Sequence, residues 1–466
     1  MLYVWRTRAR GAALFPEAPP PPQASSSGTG RRAASVAIQV ACVAAAAVIL
    51  LFRVAVVPAW NAIYAEDYGV FLMQALIHPW HLIIPYAGYE ELLPRLIAQA
   101  VSLLPLTWAA AAFAVSGAVI AAACALFTYH ASVGYIRSPA LRTVLGAALI
   151  LLPVAPLELT ANGVDTPWYV IVALFWAILW RPRTRGGMAA AAIVAFAATA
   201  SSPIVIILAP LLAIRVFALR SLREHAVTAG WLAGWLVQAW AIVLSYASHE
   251  QRVGKLGPLS QTVWYYLHTV VLRAFGWHVS WDLTRRFGLD SATLLCAFAL
   301  TVILGLAMTT GRKTRIFVTL AVVSGFVYTV FAATITTYVL SAVPRLNPTS
   351  YESGSRYSVL PIMLLDAAVI VAVDALAQRR GGLRAALVNR SLPVAAASVA
   401  LIGGLFAGWV TDYRYPTGRT ADGPWLPTAT KLLNQCQRHN TVTMYEWPDA
   451  HDGSTWVKVS CGRLVR

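Results

Sequence analysis

Residues 64–95, YAEDYGVFLMQALIHPWHLIIPYAGYEELLPR, concentrate the ionisable side chains of an otherwise apolar chain. Asp and Glu total 19 of 466 residues, yet Glu66, Asp67, Glu90 and Glu91 fall within 26 positions, with Arg95 just beyond. Carboxylates at the lip of a membrane span are costly to desolvate, and they mark sites that handle protons, ions or polar substrates. Glu66 and Asp67 are adjacent, so on a helix or strand their side chains diverge. One would face a reacting atom and the other brace it. A carboxylate at a low-dielectric boundary can rise in pKa toward the range useful to a general base; a solvated pair beside lipid headgroups is the plainer alternative.

Two arginines offer the complementary charge. Arg95 follows Pro94, and Arg356 opens the run RYSVLP beside Tyr351, Glu352 and Tyr357, the denser polar cluster. A guanidinium can hold a phosphate bidentately, although anchoring to lipid headgroups is equally open to it. The segment LELTANGVDTPWY supplies Glu158, Asn162, Asp165, Trp168 and Tyr169, amide, acid and aromatic groups suited to a sugar. The same letters also describe a capped loop, with Asp165 as N-cap and Pro167 in the first turn of the next helix. His78 and His81 have Pro79 between them and no third ligand nearby, so no metal site is expected. No P-loop, GxSxG, HExxH or dinucleotide fingerprint appears at a credible position.

The elements that must position these groups are membrane helices. The chain is 58% hydrophobic and 12% charged, about half the charged fraction of a soluble domain, with a mean hydropathy of +0.64. Apolar runs near 34–58, 107–130, 141–157, 166–181, 187–200, 203–219, 226–248, 290–310, 315–340, 357–377 and 391–410 predict an all-α polytopic protein of about eleven spans. The short alternating segments of a β-barrel are missing.

The net charge of +17 resides largely in short loops: Arg137 and Arg142; Arg181, Arg183 and Arg185; Arg220 and Arg223; Arg312, Lys313 and Arg315; Arg379, Arg380, Arg384 and Arg390. With the N-terminus inside, all five clusters are cytoplasmic, and the loops 58–106, 158–165, 249–289 and 341–356 lie outside. The basic charge suits anionic membrane lipid, and no basic face interleaved with aromatics suggests nucleic acid. Segments 92–104 and 262–277 read as interfacial helices on the outer side. Asp366, in mid-span, is expected to hydrogen-bond a neighbouring helix.

Three regions follow: a disordered cytoplasmic tail over 1–33, a transmembrane domain over 34–410, and an extracytoplasmic tail over 411–466. In the last, TVTMYEW and TWVKVSC predict a β-hairpin. Cys436 and Cys461 flank it, and an oxidising compartment would favour their disulfide. Cys42, Cys124 and Cys296 read as packing residues within spans.

The first loop resembles that of the bacterial GT-C superfamily of integral-membrane glycosyltransferases, in members reading roughly PYAGYLHLLPRLIA. Pro85–Tyr89 and Leu92–Ala98 match, while Glu90 and Glu91 replace Leu and His. Asn162 and Trp168, and the Arg356-Tyr357 start of a late span, are also similar. The resemblance implies a GT-C-like fold in a multi-pass plasma (inner) membrane protein, with its site on the extracytoplasmic face. It implies inverting transfer of a monosaccharide, a pentofuranose or a hexose, from a polyprenyl-phosphate donor to a hydroxyl of a glycan, lipid or protein. Asp67, or else Glu66, would be the general base. Arg356, with Arg95 and Tyr357, would hold the phosphate without a metal or other cofactor. Tyr86, Tyr89, Trp80, Glu91, Asn162 and Asp165 would border the sugar or acceptor. A lipid-linked sugar flippase or transporter also needs acids and arginines facing a cavity, although repeat symmetry is not evident. A non-catalytic membrane scaffold is the third reading.

Overall fold

A computed structural model describes residues 14–17, 28–64, 66–153, 159–219, 221–247, 259–335, 355–379, 403–414, 423–446 and 455–464. The described chain is mostly helical, with one two-stranded antiparallel sheet near the C-terminus. Among the described residues five helices are long and apolar enough to cross a membrane: Ala33–Leu51, Leu106–Gly134, Arg223–Tyr246, Arg312–Ala332 and Arg356–Gln378. Pro139–Ile150, Thr166–Leu179, Arg185–Ser201, Pro203–Ala218 and Leu289–Val302 coincide with other expected spans but are shorter. The last expected span, 391–410, lies mainly outside the described residues, as do the basic positions 380, 384 and 390.

Local chemistry explains several boundaries. Ser138 caps Pro139–Ile150 by accepting from the Leu141 amide at 3.3 Å, with Pro139 in the first turn. Thr184 caps Arg185–Ser201 through the Gly187 amide at 3.0 Å, as short hydroxyl side chains do at helix starts. Pro203 ends that helix and begins a 3₁₀ segment, Pro203–Leu208. Phe217, Leu236 and Phe298 are 75%, 74% and 68% exposed. Such apolar outer faces suit hydrocarbon better than water.

Helix α1 (Gly28–Leu51) begins inside the stretch expected to be disordered, and residues 14–17 are also placed. The helix therefore starts ahead of the boundary expected at 33. Phe15 is fully buried beneath the Arg215 guanidinium, and Glu17 pairs with Arg181 and Arg183 at 3.2 and 3.3 Å. One aromatic anchor and one acid suffice to dock this part of a basic, proline-rich tail. The segment 262–277 is likewise more enclosed than an interfacial helix. It forms Leu259–Tyr266, a π-turn over Leu267–Val271 and a 3₁₀ turn over Arg273–Phe275, packed on Leu289–Met308 and Val359–Arg379. Asp366 is buried, and its Oδ2 has no hydrogen-bond partner among the described residues.

The two ends of the bundle differ chemically. Thr166–Leu179 spans about 21 Å at 1.5 Å per residue. At its C-terminal end Arg215 donates to the carbonyls of Ile178 and Trp180 and pairs with Glu224 at 3.2 Å. Nearby termini carry the same signature, with Asp374 accepting from the amides of Arg137 and Ser138 at 3.0 and 3.1 Å. The opposite end carries Asp165, Glu66 and Arg356.

The first loop and the C-terminal tail share one apolar core at that end. Helix α2 (Asp67–Ile77, opening as a π-turn over Asp67–Leu72), α3 (Leu92–Val101) and the start of α4 (Ala109–Ala131) pack with α5 (Trp425–Cys436) and the hairpin β1 (Thr441–Glu446) and β2 (Thr455–Ser460). Val442, Met444 and Val459 form the buried face of the hairpin, as period-two alternation requires. Trp425 lies 5.3 Å from the Tyr68 ring and donates to the Leu106 carbonyl at 2.8 Å. Arg463 donates to the carbonyls of Leu76 and Ile77. The tail is thus joined to the first loop rather than separate from it. Helix α5 was missed from sequence, although Trp425, Ala429 and Leu432 follow helical spacing.

The Cys436–Cys461 disulfide closes the tail, with Cα atoms 5.4 Å apart and a sequence separation of 25. A loop of that size corresponds to about 3 kcal/mol of stabilisation in the chain-entropy picture. The Cys436→Ser/Cys461→Ser protein should therefore show earlier thermal loss of the tail, read as faster protease cleavage within 423–464. Unchanged cleavage rates across the melt would show that the bond contributes little.

Candidate functional site

The first loop enters the site through a tight reversal. Tyr86 and Tyr89 exchange backbone hydrogen bonds of 2.7 and 3.3 Å across Ala87 and Gly88, both at positive φ (55° and 93°). A two-residue hairpin turn needs such φ values, and Gly88 adopts its value without steric cost. The turn throws both tyrosines and Glu91 toward a cavity of 390 Å³. Glu66, Asp165, Trp168, Arg356 and Tyr357 complete its polar and aromatic wall, with Ile204 and Ile242 among the apolar contributors.

Arg356 sits between two acids. Its Nη1 lies 3.7 Å from Glu66 Oε1 and 3.8 Å from Asp165 Oδ1. These are ion-pair contacts, longer than direct hydrogen bonds. The guanidinium also rests 5.7 Å from the Tyr357 ring, which meets Trp168 edge-on at 5.1 Å. Among the described residues three carboxylates therefore line the cavity with one guanidinium, beside aromatic faces able to stack on a ligand ring.

Asp67 has a different task. It is fully buried, and its two oxygens accept from the backbone amides of Gly163 and Val164 at 2.9 and 2.8 Å. The loop presses so closely here that a Cβ on Gly163 would meet Phe113 at 2.7 Å and Asp67 Oδ1 at 2.8 Å. A Cβ on Gly117 would meet the Asn162 carbonyl oxygen at 2.0 Å. Asp67 thus pins the 159–165 loop, while its neighbour Glu66 turns into the cavity. The family resemblance favours Asp67 over Glu66 as the general base, whereas of the two it is Glu66 that lines the cavity.

Three other expected site residues also lie off the cavity. Arg95 is buried in a knot of its own, paired to Glu90 at 2.9 Å, donating to Gln74 at 2.5 Å and to the Ile84 carbonyl, and stacked over Phe71. Trp80 is 65% exposed, with its amide donating to Gln99 at 2.7 Å. Asn162 is buried within its loop, exchanging two 2.9 Å hydrogen bonds with Asp165. Asp165 occupies the N-cap position of Thr166–Leu179 without a side-chain capping bond, and its carboxylate is aimed by Asn162 and drawn by Arg356. Tyr86, Tyr89, Glu91, Asp165, Tyr357, Glu66 and Arg356 do converge. Trp168 joins them as a full wall residue. Positions 158, 351 and 352 lie outside the described residues.

The Tyr89 hydroxyl donates to Glu91 Oε1 at 2.9 Å. Burial pushes the Glu91 carboxyl up to about 7, against the opposing pull of the Tyr89 hydrogen bond and of Arg356 and Arg95. Burial and the adjacent Glu91 push the Tyr89 phenol well above its ordinary value, so it stays a donor near neutrality. Perturbed groups lining a cleft are the usual mark of chemistry. Among the described residues no group of three or more His, Cys, Asp or Glu has metal-holding geometry. His78 and His81 merely stack edge-on at 5.8 Å.

No protein-family model matches the sequence, and no curated protein is a significant match to it.

Proposed function

We propose that this chain is a membrane glycosyltransferase that moves a monosaccharide from a polyprenyl-phosphate donor to a hydroxyl acceptor. The observation that carries this reading is the cavity: one guanidinium bracketed by carboxylates, enclosed by Tyr86, Tyr89, Trp168 and Tyr357. Arginine matches phosphate oxygens by charge and geometry. Carboxylates accept from sugar hydroxyls, and aromatic rings pack on sugar faces.

In this reading the protein has a GT-C-like fold of about eleven spans in the plasma membrane. Its basic loops face the cytoplasm, and the cavity opens on the extracytoplasmic side, where an oxidised Cys436–Cys461 pair belongs. The acceptor oxygen attacks the sugar C1, the C1–O bond to phosphate breaks with inversion, and polyprenyl phosphate leaves with the bonding pair. Arg356 neutralises the charge that grows on the leaving oxygen, a stabilisation that strengthens where water is excluded. A cavity carboxylate receives the acceptor proton. Glu66 and Asp165 hold Arg356 in place, and Asp67 fixes the loop that carries Asp165.

The full chain in vesicles, given undecaprenyl-phosphate mannose or undecaprenyl-phosphate arabinose, should form a glycoside or release free sugar together with undecaprenyl phosphate. Movement of intact donor between leaflets without any cleavage would instead favour a flippase.

A further inference from the structure

Resting on the glycosyltransferase reading, we infer that Glu91 is the group that takes the acceptor proton, through its Oε2 atom, with Tyr89 as the residue that aims it. Every other acid of the first loop has a competing engagement. Both oxygens of Asp67 are taken up by the Gly163 and Val164 amides, and Asp67 is not among the residues that line the cavity. Glu90 is paired with Arg95, also away from the cavity. Glu66 faces the cavity but is engaged by Arg356, at 3.7 Å.

Glu91 is held differently. The Tyr89 hydroxyl fixes its Oε1, while its buried Oε2 has no hydrogen-bond partner among the described residues. The residue is only 8% exposed and lines the cavity. A buried carboxylate oxygen without a donor is costly to leave so, and an incoming hydroxyl supplies the missing donor. As the acceptor O–H bond breaks, its electron pair forms the new C1–O bond and its proton goes to Glu91 Oε2. The C1–O(phosphate) pair departs on the polyprenyl phosphate. Charge thus passes from Glu91 to the phosphate beside Arg356, and no oxidant, reductant or further reactant is needed.

Among the described residues the charged groups facing Glu91 are Arg356 from the 355–358 turn, Arg95 from α3, Glu66 immediately before α2 and the adjacent Glu90, with Tyr89 on its own segment. Burial outweighs the two arginines, so the carboxyl titrates at about 7 rather than in the acid range. A base near the working pH is the most effective kind. For such a base, rate is lost as pH falls through about 7 and Glu91 becomes protonated.

The test uses the full-length protein in vesicles, with undecaprenyl-phosphate mannose and undecaprenyl-phosphate arabinose as probes and water as acceptor. Released sugar is followed from pH 5 to 9, buffer values chosen about the expected midpoint. Wild-type rates should rise through about pH 7. Glu91→Gln should lower the rate about 100-fold or more and abolish that rise, while still binding undecaprenyl phosphate. Glu91→Asp should recover part of the rate with a displaced midpoint, and Tyr89→Phe should shift the midpoint with little change in lipid binding. Wild-type turnover with Glu91→Gln retaining both rate and rise would overturn the assignment and leave the glycosyltransferase reading intact. Absence of turnover in wild type with both donors would overturn that reading and the base with it.

Discussion

Arg356→Ala should reduce sugar transfer from a polyprenyl-phosphate donor by about 1,000-fold, or about 4 kcal/mol in the barrier. Arg356 is the cation that lines the described cavity, facing Glu66 and Asp165 at 3.7 and 3.8 Å. Its removal would leave the departing phosphate, among the described residues of the cavity wall, facing Glu66, Glu91 and Asp165 without a cation. Arg356→Lys should recover only part of the loss, because an ammonium supplies charge without the planar fork that fits phosphate oxygens. The defect should appear in kcat as well as in donor affinity, since the charge on the leaving oxygen grows in the transition state. Single-turnover cleavage of undecaprenyl-phosphate mannose or arabinose separates the two. An alanine variant that cleaves at the wild-type rate would remove the arginine from the mechanism.

Asp67→Asn should act on folding instead. The carboxylate accepts two amide hydrogen bonds in full burial, and each bond to a charged acceptor is worth about 1.5–3 kcal/mol. An asparagine can offer one carbonyl oxygen, but its amino group must then confront a backbone N–H donor. A loss of about 2–4 kcal/mol follows, with the 159–165 loop released from α4 and Asp165 displaced from Arg356. Melting temperature and transfer should fall together, and the molecules that remain folded should keep the wild-type pH dependence. If Asp67→Asn melted like wild type but transferred no sugar, Asp67 would be the reacting acid after all.

The helical fold, with helices long and apolar enough to cross a membrane, was legible because apolar runs of that length report directly on hydrocarbon burial. The candidate-site residues were partly legible. Adjacency alone showed that Glu66 and Asp67 diverge, but which one enters the cavity depends on Gly163 and Val164, about a hundred positions away and brought close by glycine contacts with α4. Arg95 looked like a phosphate ligand because its captors, Gln74 and the Ile84 carbonyl, become neighbours only once the first loop has folded back. Trp80 was grouped with the other aromatics, yet positive φ at 65° turns the chain there and leaves its ring outside. Glu91 stood in the right place, but its desolvation and its Tyr89 partner arise from the turn at Ala87 and Gly88. The docking of the tail was hidden because hairpin alternation reports one buried face without naming the surface that covers it.

The central claim is that this cavity receives a polyprenyl-phosphate sugar. Native mass spectrometry of the detergent-extracted full-length protein tests it most directly. The account predicts a bound lipid with the mass of a polyprenyl phosphate or its monosaccharide ester, retained by Glu91→Gln and lost from Arg356→Ala. Wild-type and Arg356→Ala protein carrying the same ordinary phospholipids and no polyprenyl species, even after incubation with undecaprenyl phosphate, would contradict it.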